Sequence, residues 1–339
     1  MLREDSESLR EGILTCSNSL CLHEYPVIDG IPILVADLRS FVTQNILPIL
    51  KRADLSSTME SLLGDCCGPG AAFDFQRQHL STYVFNHYGE FDTDAAAATD
   101  LPFYSIATVL SKGISLLGGI PEGLILDLGC SVGRTAFEHA SCSNDLVLGI
   151  DLNFSMLQMA GKILNSRTVP YGRRLGGLIF EPREFPVSFP RMEAVDFWVA
   201  DATNLPFADA TVALGSSLNL LDCVSSPYDH LRELTRVLRP GGSALLSTPY
   251  DWSSYTTSVE SWIGGHSQRS ENLGRSADIL RSLFENGSHP RAIKGMALAA
   301  ELDNVPWTLR LHDRSIMTYF AHLLVGRKRS DPACSIPEP

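Results

Sequence analysis

The sequence predicts an α/β protein with a mostly parallel sheet, helices on both faces, and a small N-terminal β module with a helical segment. Two observations predict the sheet. Short apolar segments alternate with helical patterns between residues 124 and 250, as they do in βαβ units. In "ILDLGCSVGRTAFEHA" (125–140), an apolar strand leads through a glycine-bearing turn into a helix. Open parallel sheets bind ligands at such turns, beside the carboxyl ends of strands.

The N-terminal third of the chain predicts a β hairpin followed by helices. Residues 13–35 place an Asp-Gly pair between apolar runs, which is a strong hairpin signal. Helical spacing covers 38–63 and 75–91, and the Gly- and Pro-bearing segment 64–73 between them predicts a linker. We therefore expect an N-terminal module (1–63), a linker with a lid helix (64–105), the main domain (106–328) and a disordered tail (329–339).

The main domain predicts a regular order of elements. A helix over 106–118 precedes the first strand, and the long segment 166–193 is expected to be irregular. Strands are predicted at 124–128, 146–151, 195–200, 211–216 and within 239–250, and helices at 133–141, 154–165 and 227–238.

Composition and charge exclude several classes of protein. Apolar residues make up 44% of the 339 residues, and no run approaches the ~20 apolar residues of a membrane span. The net charge of −12 argues against a nucleic-acid-binding surface, because such surfaces are rich in Lys and Arg. The start "MLREDSESLR" lacks the apolar core of a signal peptide, which favours the cytoplasm and free thiols. We expect a small-molecule or protein substrate, with no nucleic acid and no membrane as partner.

Two acids mark the ends of the first two strands. Asp127 ends the first strand and Asp151 follows it by 24 residues, at the end of the second. This is the position of an acid that accepts hydrogen bonds from ribose hydroxyls. The turn reads D-x-G-x-x-x-G with Ser131 at its centre, which differs from the G-x-G-x-x-G of dinucleotide-binding proteins. The sequence therefore predicts a nucleotide-like ligand of another kind.

Three further segments complete the pattern of one family. "VADATNLPF" (199–207) follows the third strand, "SSLNLLDCV" (216–224) follows the fourth, and "RVLRPGGSALLSTP" (236–249) contains the fifth. With the glycine turn, they resemble the class I S-adenosylmethionine-dependent methyltransferases over about residues 124–250. The resemblance implies a Rossmann-like sheet, S-adenosyl-L-methionine as cofactor, and Asp201 as the acid for the adenine amino group. The cofactor-binding residues that it implies are Asp127, Gly129, Ser131, Gly133, Arg134, Asp151, Leu152, Asp201, Ala202 and Asn219.

Other segments resemble a narrower family. They are "TYVFNHYGEF" (82–91), "LDLGCSVGRTAFEHA" (126–140), "VPYGRR" (169–174), "STPYDWSSYTTSVESWIGG" (247–265) and "VPWTLRLHDRSIMTYFAHLLVGRK" (305–328). They are similar to the methyltransferase domain of the ovothiol biosynthesis enzyme and to stand-alone mercaptohistidine N-methyltransferases. The resemblance implies methylation of a ring nitrogen in a thiol- or selenol-bearing histidine, or a related imidazole. Because a sulfonium donor is already activated, catalysis would be mostly in-line positioning, with a base only if the acceptor loses a proton.

Aromatic residues and a histidine outside the cofactor motifs are candidates for the substrate side. Tyr83, His87 and Tyr88 share one side of the predicted lid helix, where ordinary core packing is the alternative. Tyr250 and Trp252 follow the fifth strand, at the edge where open sheets bind ligands. We take Tyr83, His87, Tyr250 and Trp252 as catalytic candidates.

A second group of candidates lies near the C-terminus. Arg310, His312 and Arg314 alternate along the chain, so in a strand they would share one face. Arg on that face could hold a substrate carboxylate, and a solvated edge strand is the alternative. Arg310 and His312 join the catalytic candidates, whereas Trp262 fits simple packing.

The N-terminal hairpin region raises the question of a metal. "LTCSNSLCLHEYPVIDGIPILV" (14–35) resembles part of the small zinc-ribbon proteins that partner tRNA and release-factor methyltransferases. A zinc ribbon needs four ligands, whereas this segment offers Cys16, Cys21 and His23, with Cys66 and Cys67 far along the chain. We expect a degenerate ribbon without metal, whose role is packing or the binding of a protein partner.

Three functions stay open at this point. The first is N-methylation of a mercaptohistidine-type metabolite. The second is methylation of another small metabolite or of a protein side chain, because cofactor motifs report only on the donor. The third is a methyltransferase-like scaffold without activity, which would not bind the donor.

Overall fold

The protein is described from a computed structural model. The structure describes residues 3–5, 8–18, 20–21, 23–51, 55–93, 103–285 and 289–330, with side chains from residue 10 onward except at position 271. Residues 94–102 of the predicted linker and lid region, and 331–339 of the predicted tail, lie outside the described residues.

A four-stranded antiparallel sheet opens the chain. Its strands, in the spatial order β1-β2-β3-β4, are β1 (Arg3–Asp5), β2 (Ser8–Thr15), β3 (Glu24–Ile28) and β4 (Ile31–Pro32). Asp29 and Gly30 join β3 to β4, and both have positive φ, of 55° and 80°. A two-residue turn with positive φ at both positions suits the twist of a hairpin, so the predicted Asp-Gly turn is confirmed.

Three helices follow the N-terminal sheet: α1 (Leu38–Leu50), α2 (Ser57–Cys67) and α3 (Ala72–Tyr88). The helical spacing over 38–63 corresponds to two helices with a break between them. The hydroxyl of Ser56 accepts the N–H of Met59 at 3.3 Å and starts a second helix, as an N-cap does.

The predicted linker over 64–73 is wrong in extent. Helix α2 continues to Cys67 and α3 begins at Ala72. Gly68 and Gly70, with φ of 77° and 79°, turn the chain between the two helices. Glycine adopts these backbone conformations without steric cost, so the break is confined to a few residues.

The remaining elements form the main domain. In chain order they are α4 (Ile106–Leu117), β5 (Ile125–Leu128), α5 (Arg134–Ser141), β6 (Val147–Asp151), α6 (Phe154–Ser166), β7 (Thr168–Gly176), β8 (Ile179–Pro186), β9 (Val195–Val199), β10 (Val212–Leu218), α7 (Pro227–Val237), β11 (Leu238–Thr248), α8 (Ser276–Phe284), β12 (Met296–His312) and β13 (Ser315–Lys328).

Seven of these strands form one sheet in the order β12-β13-β11-β10-β5-β6-β9. Strands β11, β10, β5, β6 and β9 pair in parallel. Strand β13 runs antiparallel to both of its neighbours, β11 and β12. The predicted fold class, a mostly parallel Rossmann-like sheet, is confirmed.

Helices cover both faces of this sheet. Ile125, Leu214 and Leu245 face the core that α4, α5 and α6 complete. Leu126 and Leu246, one position further along their strands, face the core formed with α7 and α8. Strands buried on both faces read as continuous apolar runs, which is why these segments could be recognised in the sequence.

The segment predicted to be irregular, 166–193, contains the β7–β8 hairpin. The two strands pair antiparallel, with Val169 opposite Phe185 and Tyr171 opposite Arg183. Val169, Tyr171 and Arg173 are buried and alternate with more exposed residues, which is the period of a half-buried strand. The prediction failed because Pro and Gly interrupt the apolar pattern at the intervening positions.

Helix α3 is built into the main domain. The Tyr88 hydroxyl donates to the carbonyl of Val132 at 2.8 Å, in the turn after β5. On the same helix, the Asn86 carboxamide oxygen accepts from Trp307 Nε1 at 3.0 Å, and the Ser81 hydroxyl accepts the N–H of Arg174 at 2.9 Å. The predicted lid helix is therefore anchored to β12, to β7 and to the glycine turn.

The N-terminal module covers the edge of the large sheet. The N–H of Leu34 donates to the carbonyl of Val199 at 2.8 Å, and Ile33 forms a parallel bridge with the same residue of β9. Ile31, Ile33 and Val35 are buried in the core of the main domain. Unpaired strand edges invite association with other chains, and here the chain's own N-terminal segment occupies the edge.

Candidate functional site

A turn with three left-handed residues joins β5 to α5. Gly129, Ser131 and Gly133 have φ of 73°, 52° and 87°. A Cβ at Gly133 would lie 2.7 Å from Cζ of Phe197, so both backbone conformation and space require glycine there. The turn brings the first N–H groups of α5 to the carboxyl edge of the sheet, where a helix N-terminus favours polar or anionic ligand groups.

Asp151 ends the neighbouring strand β6 and braces this turn. Its Oδ2 accepts the N–H of Ser131 at 2.9 Å, and its Oδ1 accepts the N–H of Asn153 at 2.8 Å. Burial raises the pKa of this carboxyl, while these N–H bonds oppose the shift. A carboxylate has about four acceptor positions, so the ones that remain suit the two hydroxyls of a ribose.

Asp127 lies beneath the turn. It is buried, and its Oδ2 accepts a hydrogen bond from the Thr135 hydroxyl on α5. Burial raises the pKa of Asp127 to about 7, against the effect of that hydrogen bond. The carboxyl thus links the end of β5 to the first turn of α5 and supports the turn from below.

Two buried polar atoms at this edge have no hydrogen-bond partner among the described residues: Ser131 Oγ and Asn219 Nδ2. Asn219 follows β10 with φ of 52°, and its Oδ1 accepts from the Ser247 hydroxyl at 2.8 Å. Buried polar groups are normally satisfied. Both atoms therefore fit a polar ligand that lies across the ends of β5 and β10, which is where a nucleoside-type cofactor would lie.

The residues predicted to contact adenine are held in place by a turn and by a network of buried hydrogen bonds. Asp201 Oδ1 accepts from the N–H and hydroxyl of Thr203 at 2.8 and 2.7 Å. The Ala202 carbonyl lies 3.1 Å from Nδ1 of His230, whose Nε2 is 2.9 Å from the Ser217 hydroxyl. Leu152, after β6, leaves 46% of its surface exposed. An exposed apolar side chain beside a fixed acid suits the face of a base.

The Arg134 side chain contacts other residues of the chain. Its guanidinium donates to the carbonyl of His87 at 2.7 Å, to Glu90 at 2.6 Å and to Glu138 at 2.8 Å. The group also lies 4.8 Å from the centre of the Phe91 ring. The side chain therefore joins α5 to the end of α3, and only the backbone N–H of Arg134 remains a candidate for the cofactor.

An acidic and aromatic group of residues lies beyond the ends of β10 and β11. Asp222 Oδ2 accepts the N–H of Asp251 at 2.7 Å, and Asp251 Oδ2 accepts from the Tyr319 hydroxyl at 2.9 Å. The Tyr319 ring stacks on Trp307 with centroids 5.3 Å apart. Burial, and then the nearby Cys223, Asp151 and Asp222, raise the pKa of Tyr83 to about 12. Tyr83 is therefore near both Asp151 and this group. The set is named the acceptor pocket, for the role proposed for it, and consists of Tyr83, Asp222, Asp251, Trp307 and Tyr319.

Comparison with known proteins identifies the domain that contains this turn. Residues 126–246 match the family model described as "Methyltransferase domain". This part of the chain is a methyltransferase domain. An uncharacterized methyltransferase of Mycolicibacterium gilvum is 33% identical over 135 residues, which are 38% of this chain and 49% of that protein.

Two further similarities extend the comparison. The demethylmenaquinone methyltransferase of Renibacterium salmoninarum is 27% identical over 168 residues, 46% of this chain and 58% of that protein. The crystal structure of a SAM-dependent methyltransferase from Methanosarcina mazei aligns at 17% identity with a TM-score of 0.40, covering 68% of this chain and all of that one. The chain spans about half the length of the M. gilvum relative and somewhat more of the R. salmoninarum one.

Tyr250 and Trp252 lie at the edge of the methyltransferase domain but turn toward α8. The Tyr250 hydroxyl is 2.6 Å from Nδ1 of His322, whose Nε2 is 3.0 Å from Glu301. Trp252 Nε1 donates to the Ser276 hydroxyl at 3.1 Å. These contacts fix the loop after β11, although Tyr250 itself has a left-handed φ of 57°, a strain that often marks a functional position.

Trp262, for which simple packing was expected, stacks on Trp252 with ring centroids 6.1 Å apart. Its Nε1 donates to the carbonyl of Thr257 at 3.0 Å. Both contacts lie within the loop after β11, so Trp262 helps to hold that loop in place.

His87 is enclosed. It is buried, its Nδ1 has no partner among the described residues, and burial with the nearby charge of Arg134 lowers its pKa to about 3. The imidazole is neutral at pH 7. Spacing of four residues on α3 places it on the same side as Tyr83, so His87 stays a prediction for the substrate side.

Arg310 and His312 lie near the end of β12, apart from Arg314. Arg310 is buried over the ring of Phe85 and forms an ion pair with Asp313, which Arg173 also contacts at 3.0 Å. Arg314 belongs to the turn after β12. The expectation that three alternating residues share one strand face is therefore wrong, because the strand ends at His312.

Sequence reasoning missed Asp222, Asp251, Trp307 and Tyr319. Asp222 lies in the segment "SSLNLLDCV" and Asp251 in the segment "STPYDWSSY". Both acids follow a strand by a few residues, which is the signal that had identified Asp151 and Asp201. Trp307 and Tyr319 carry no local signal, because they meet only through the pairing of β12 with β13.

The described residues show neither a metal cluster nor a membrane span. Among them, no three His, Cys, Asp or Glu side chains come together as a metal site requires. Cys21 Sγ lies 3.9 Å from Nδ1 of His23, and Cys16 is also a free thiol. Within the same part of the chain, no helix has the length and apolar character needed to cross a bilayer.

Proposed function

We propose that this chain is an S-adenosyl-L-methionine-dependent N-methyltransferase whose acceptor is a small imidazole-type metabolite, such as a thiol- or selenol-bearing histidine. The observation that carries the donor is the edge formed by Asp151 and the unpartnered Ser131 Oγ and Asn219 Nδ2. The choice of acceptor is supported by the sequence resemblance beyond the cofactor motifs and by the aromatic side chains of Trp307 and Tyr319, which lie beside the acids after β10 and β11.

The donor, when bound, supplies a methyl group on a positively charged sulfur. In this proposal, Asp151 holds the ribose hydroxyls, the N–H groups of the glycine turn and of α5 hold the polar end, and Leu152 covers the base. These groups orient the donor and do not react. Catalysis then consists of holding the acceptor nitrogen in line with the methyl group, since positioning alone lowers the barrier substantially.

The acceptor side has one residue suited to orientation. Tyr83 keeps its proton at pH 7, as an ordinary tyrosine does, and burial raises its pKa further, to about 12. It therefore acts as a hydrogen-bond donor. A neutral imidazole nitrogen attacks with its own lone pair, so the transfer itself needs no base.

The N-terminal module is proposed to support the domain from the same chain. The contacts of Ile33 and Leu34 with Val199 favour a packing role. A protein partner would bind on the exposed side of this module, and the catalytic proposal does not depend on it. The cytoplasm remains the proposed location.

Calorimetric titration tests the proposal in two steps. The purified chain is titrated with S-adenosylhomocysteine and then, at saturation, with 5-thiohistidine. Mass spectrometry follows methyl transfer from S-adenosylmethionine. We expect binding of both compounds and a product heavier by one methylene. Binding of the first alone would keep the methyltransferase and reject this acceptor, in favour of another metabolite or a protein side chain. Binding of neither would favour the scaffold.

A further inference from the structure

Asp222 is a buried carboxylate with one unsatisfied oxygen. It follows β10 in the short 3-10 turn Leu221–Cys223 and is 2% exposed. Its Oδ2 accepts the N–H of Asp251, and the Thr248 hydroxyl and the N–H of Asp222 itself also act on the carboxyl, whereas its Oδ1 has no hydrogen bond of good geometry among the described residues. A buried acceptor without a partner costs about 1–3 kcal/mol, and more when it is charged. Such a group needs a partner, which a bound ligand or a water molecule supplies.

The surroundings of Asp222 are acidic and aromatic. Asp251 lies next to it and holds the Tyr319 hydroxyl, and Trp307 stacks on the Tyr319 ring at 5.3 Å. The charge of Asp222 acts on both Tyr83 and Tyr319. The unpaired oxygen therefore belongs to the acceptor pocket and not to the interior of the sheet.

No positive side chain balances these acids in the part of the chain that the structure describes. Its ion pairs include neither Asp222 nor Asp251. Burial raises the pKa of the Asp222 carboxyl, and the charge that adds to this shift is the like charge of Asp251. Arg310 pairs instead with Asp313. The complement of such a pocket is a cation, which carboxylates and the faces of Trp and Tyr both stabilise.

We propose that Asp222 recognises a primary ammonium group of the acceptor, at a nitrogen other than the one that is methylated. This inference rests on the proposed function. A protonated nitrogen has no lone pair and cannot attack the methyl group, so the cation at Asp222 serves to orient the molecule. The acceptor class is then a small molecule with an aromatic nitrogen ring and an aliphatic ammonium group, as in an amino acid or a biogenic amine.

A matched pair of probes tests the recognition directly. Histamine and 4-ethylimidazole share the ring and differ in the ammonium group. Each is titrated into the full chain saturated with S-adenosylhomocysteine. We expect histamine to bind at least tenfold more tightly, and Asp222→Asn to remove that difference while 4-ethylimidazole binds as before. Equal binding of the two probes to the unaltered chain, with S-adenosylhomocysteine bound, overturns the inference.

Kinetics with 5-thiohistidine separate orientation from base catalysis. For Asp222→Asn we expect a KM for the acceptor raised about 10- to 100-fold, as for a lost hydrogen bond to a charged group, with the pH dependence of kcat unchanged. A fall in kcat with an altered pH profile assigns Asp222 to proton transfer and overturns the inference. The control is Glu260→Gln, an exposed acid in the loop after β11, which leaves both constants unchanged.

Two outcomes distinguish this inference from the proposed function. If 5-thiohistidine is not methylated but the histamine preference is present and depends on Asp222, the acceptor identity fails and the ammonium site stands. If 5-thiohistidine is methylated but the preference for histamine is absent, the acceptor identity stands and the ammonium site fails. Should Asp222→Asn fold poorly by thermal unfolding, Tyr319→Phe, which loosens Asp251, is expected to lower the histamine preference severalfold.

Discussion

The proposed donor side and the proposed acceptor pocket of the methyltransferase domain are built in different ways. The donor side takes most of its groups from residues 127–151, one strand-turn-helix-strand unit, and uses backbone N–H groups fixed by left-handed turn residues. The acceptor pocket takes side chains from α3, from the ends of β10 and β11 and from β12 and β13. In the proposed function, a backbone turn encoded by nearby residues binds a donor that many enzymes share, whereas the scattered side chains of the acceptor pocket can change without disturbing it.

The largest effect is expected where the donor cradle allows no side chain. Gly133→Ala places a Cβ 2.7 Å from Phe197 at a φ of +87°, and we expect it to lower the free energy of unfolding by about 2–4 kcal/mol. Urea unfolding measures this. The control is Gly161→Ala within α6, where a Cβ meets nothing within 4 Å and should stabilise the helix by about 0.5–1 kcal/mol. Equal effects at the two sites would contradict the steric argument.

Asp151→Ala tests whether the cradle holds the donor. The change removes acceptors for the ribose and the brace on Ser131, so we expect the affinity for S-adenosylhomocysteine to fall about 100-fold. Calorimetry measures the affinity, with Asp303→Ala, an exposed acid on β12, as control. A variant that binds as tightly as the unaltered chain would remove Asp151 from the donor site.

A pH effect on stability should come from beneath the donor side. Burial lowers the pKa of His139, on α5, to about 4, while an unfolded histidine titrates near 6.5. The stability that depends on a neutral His139 is fully present above about pH 6.5 and is lost as the pH falls toward 4. The contribution of His139 to the slope is about 1.4 kcal/mol per pH unit in that window. We expect the free energy of unfolding of His139→Leu to depend on pH, between pH 4 and 7, with a slope lower by one proton than that of the unaltered chain. An unchanged slope would count against this assignment.

The smallest effect is expected for Tyr319, within the acceptor pocket. Tyr319→Phe removes the hydrogen bond to Asp251 but keeps the stack on Trp307. We expect the acceptor KM to rise about fivefold, the value of one hydrogen bond of about 1 kcal/mol, and donor affinity to stay the same. Steady-state kinetics measure the acceptor KM and calorimetry measures the donor affinity. The control is Tyr255→Phe, at an exposed tyrosine. A parallel loss of donor binding would show that the two regions are not independent.

The sheet and the donor turn could be predicted because their signals are local. Continuous apolar runs marked β5, β6 and β10, and the glycines with Asp127 and Asp151 marked the turn. The β7–β8 hairpin was missed because Pro170 and Gly172 interrupt its apolar pattern, and strand pairing decides it instead. The family resemblance implied Arg134 as a cofactor-binding residue, whereas its side chain binds the carboxylates of Glu90, just after α3, and of Glu138 on α5.

The sequence by itself determined the parallel sheet, the glycine turn and the acid at the end of β6, because each depends on residues close together in the chain. Only the tertiary structure decided the acceptor pocket. Trp307 faces Tyr319 because β12 pairs with β13, and Tyr319 reaches Asp251 because β13 lies beside β11. No period or motif encodes these contacts. They arise when strands far apart in sequence are brought into register, and that register is set by burial of the whole sheet between its two layers of helices.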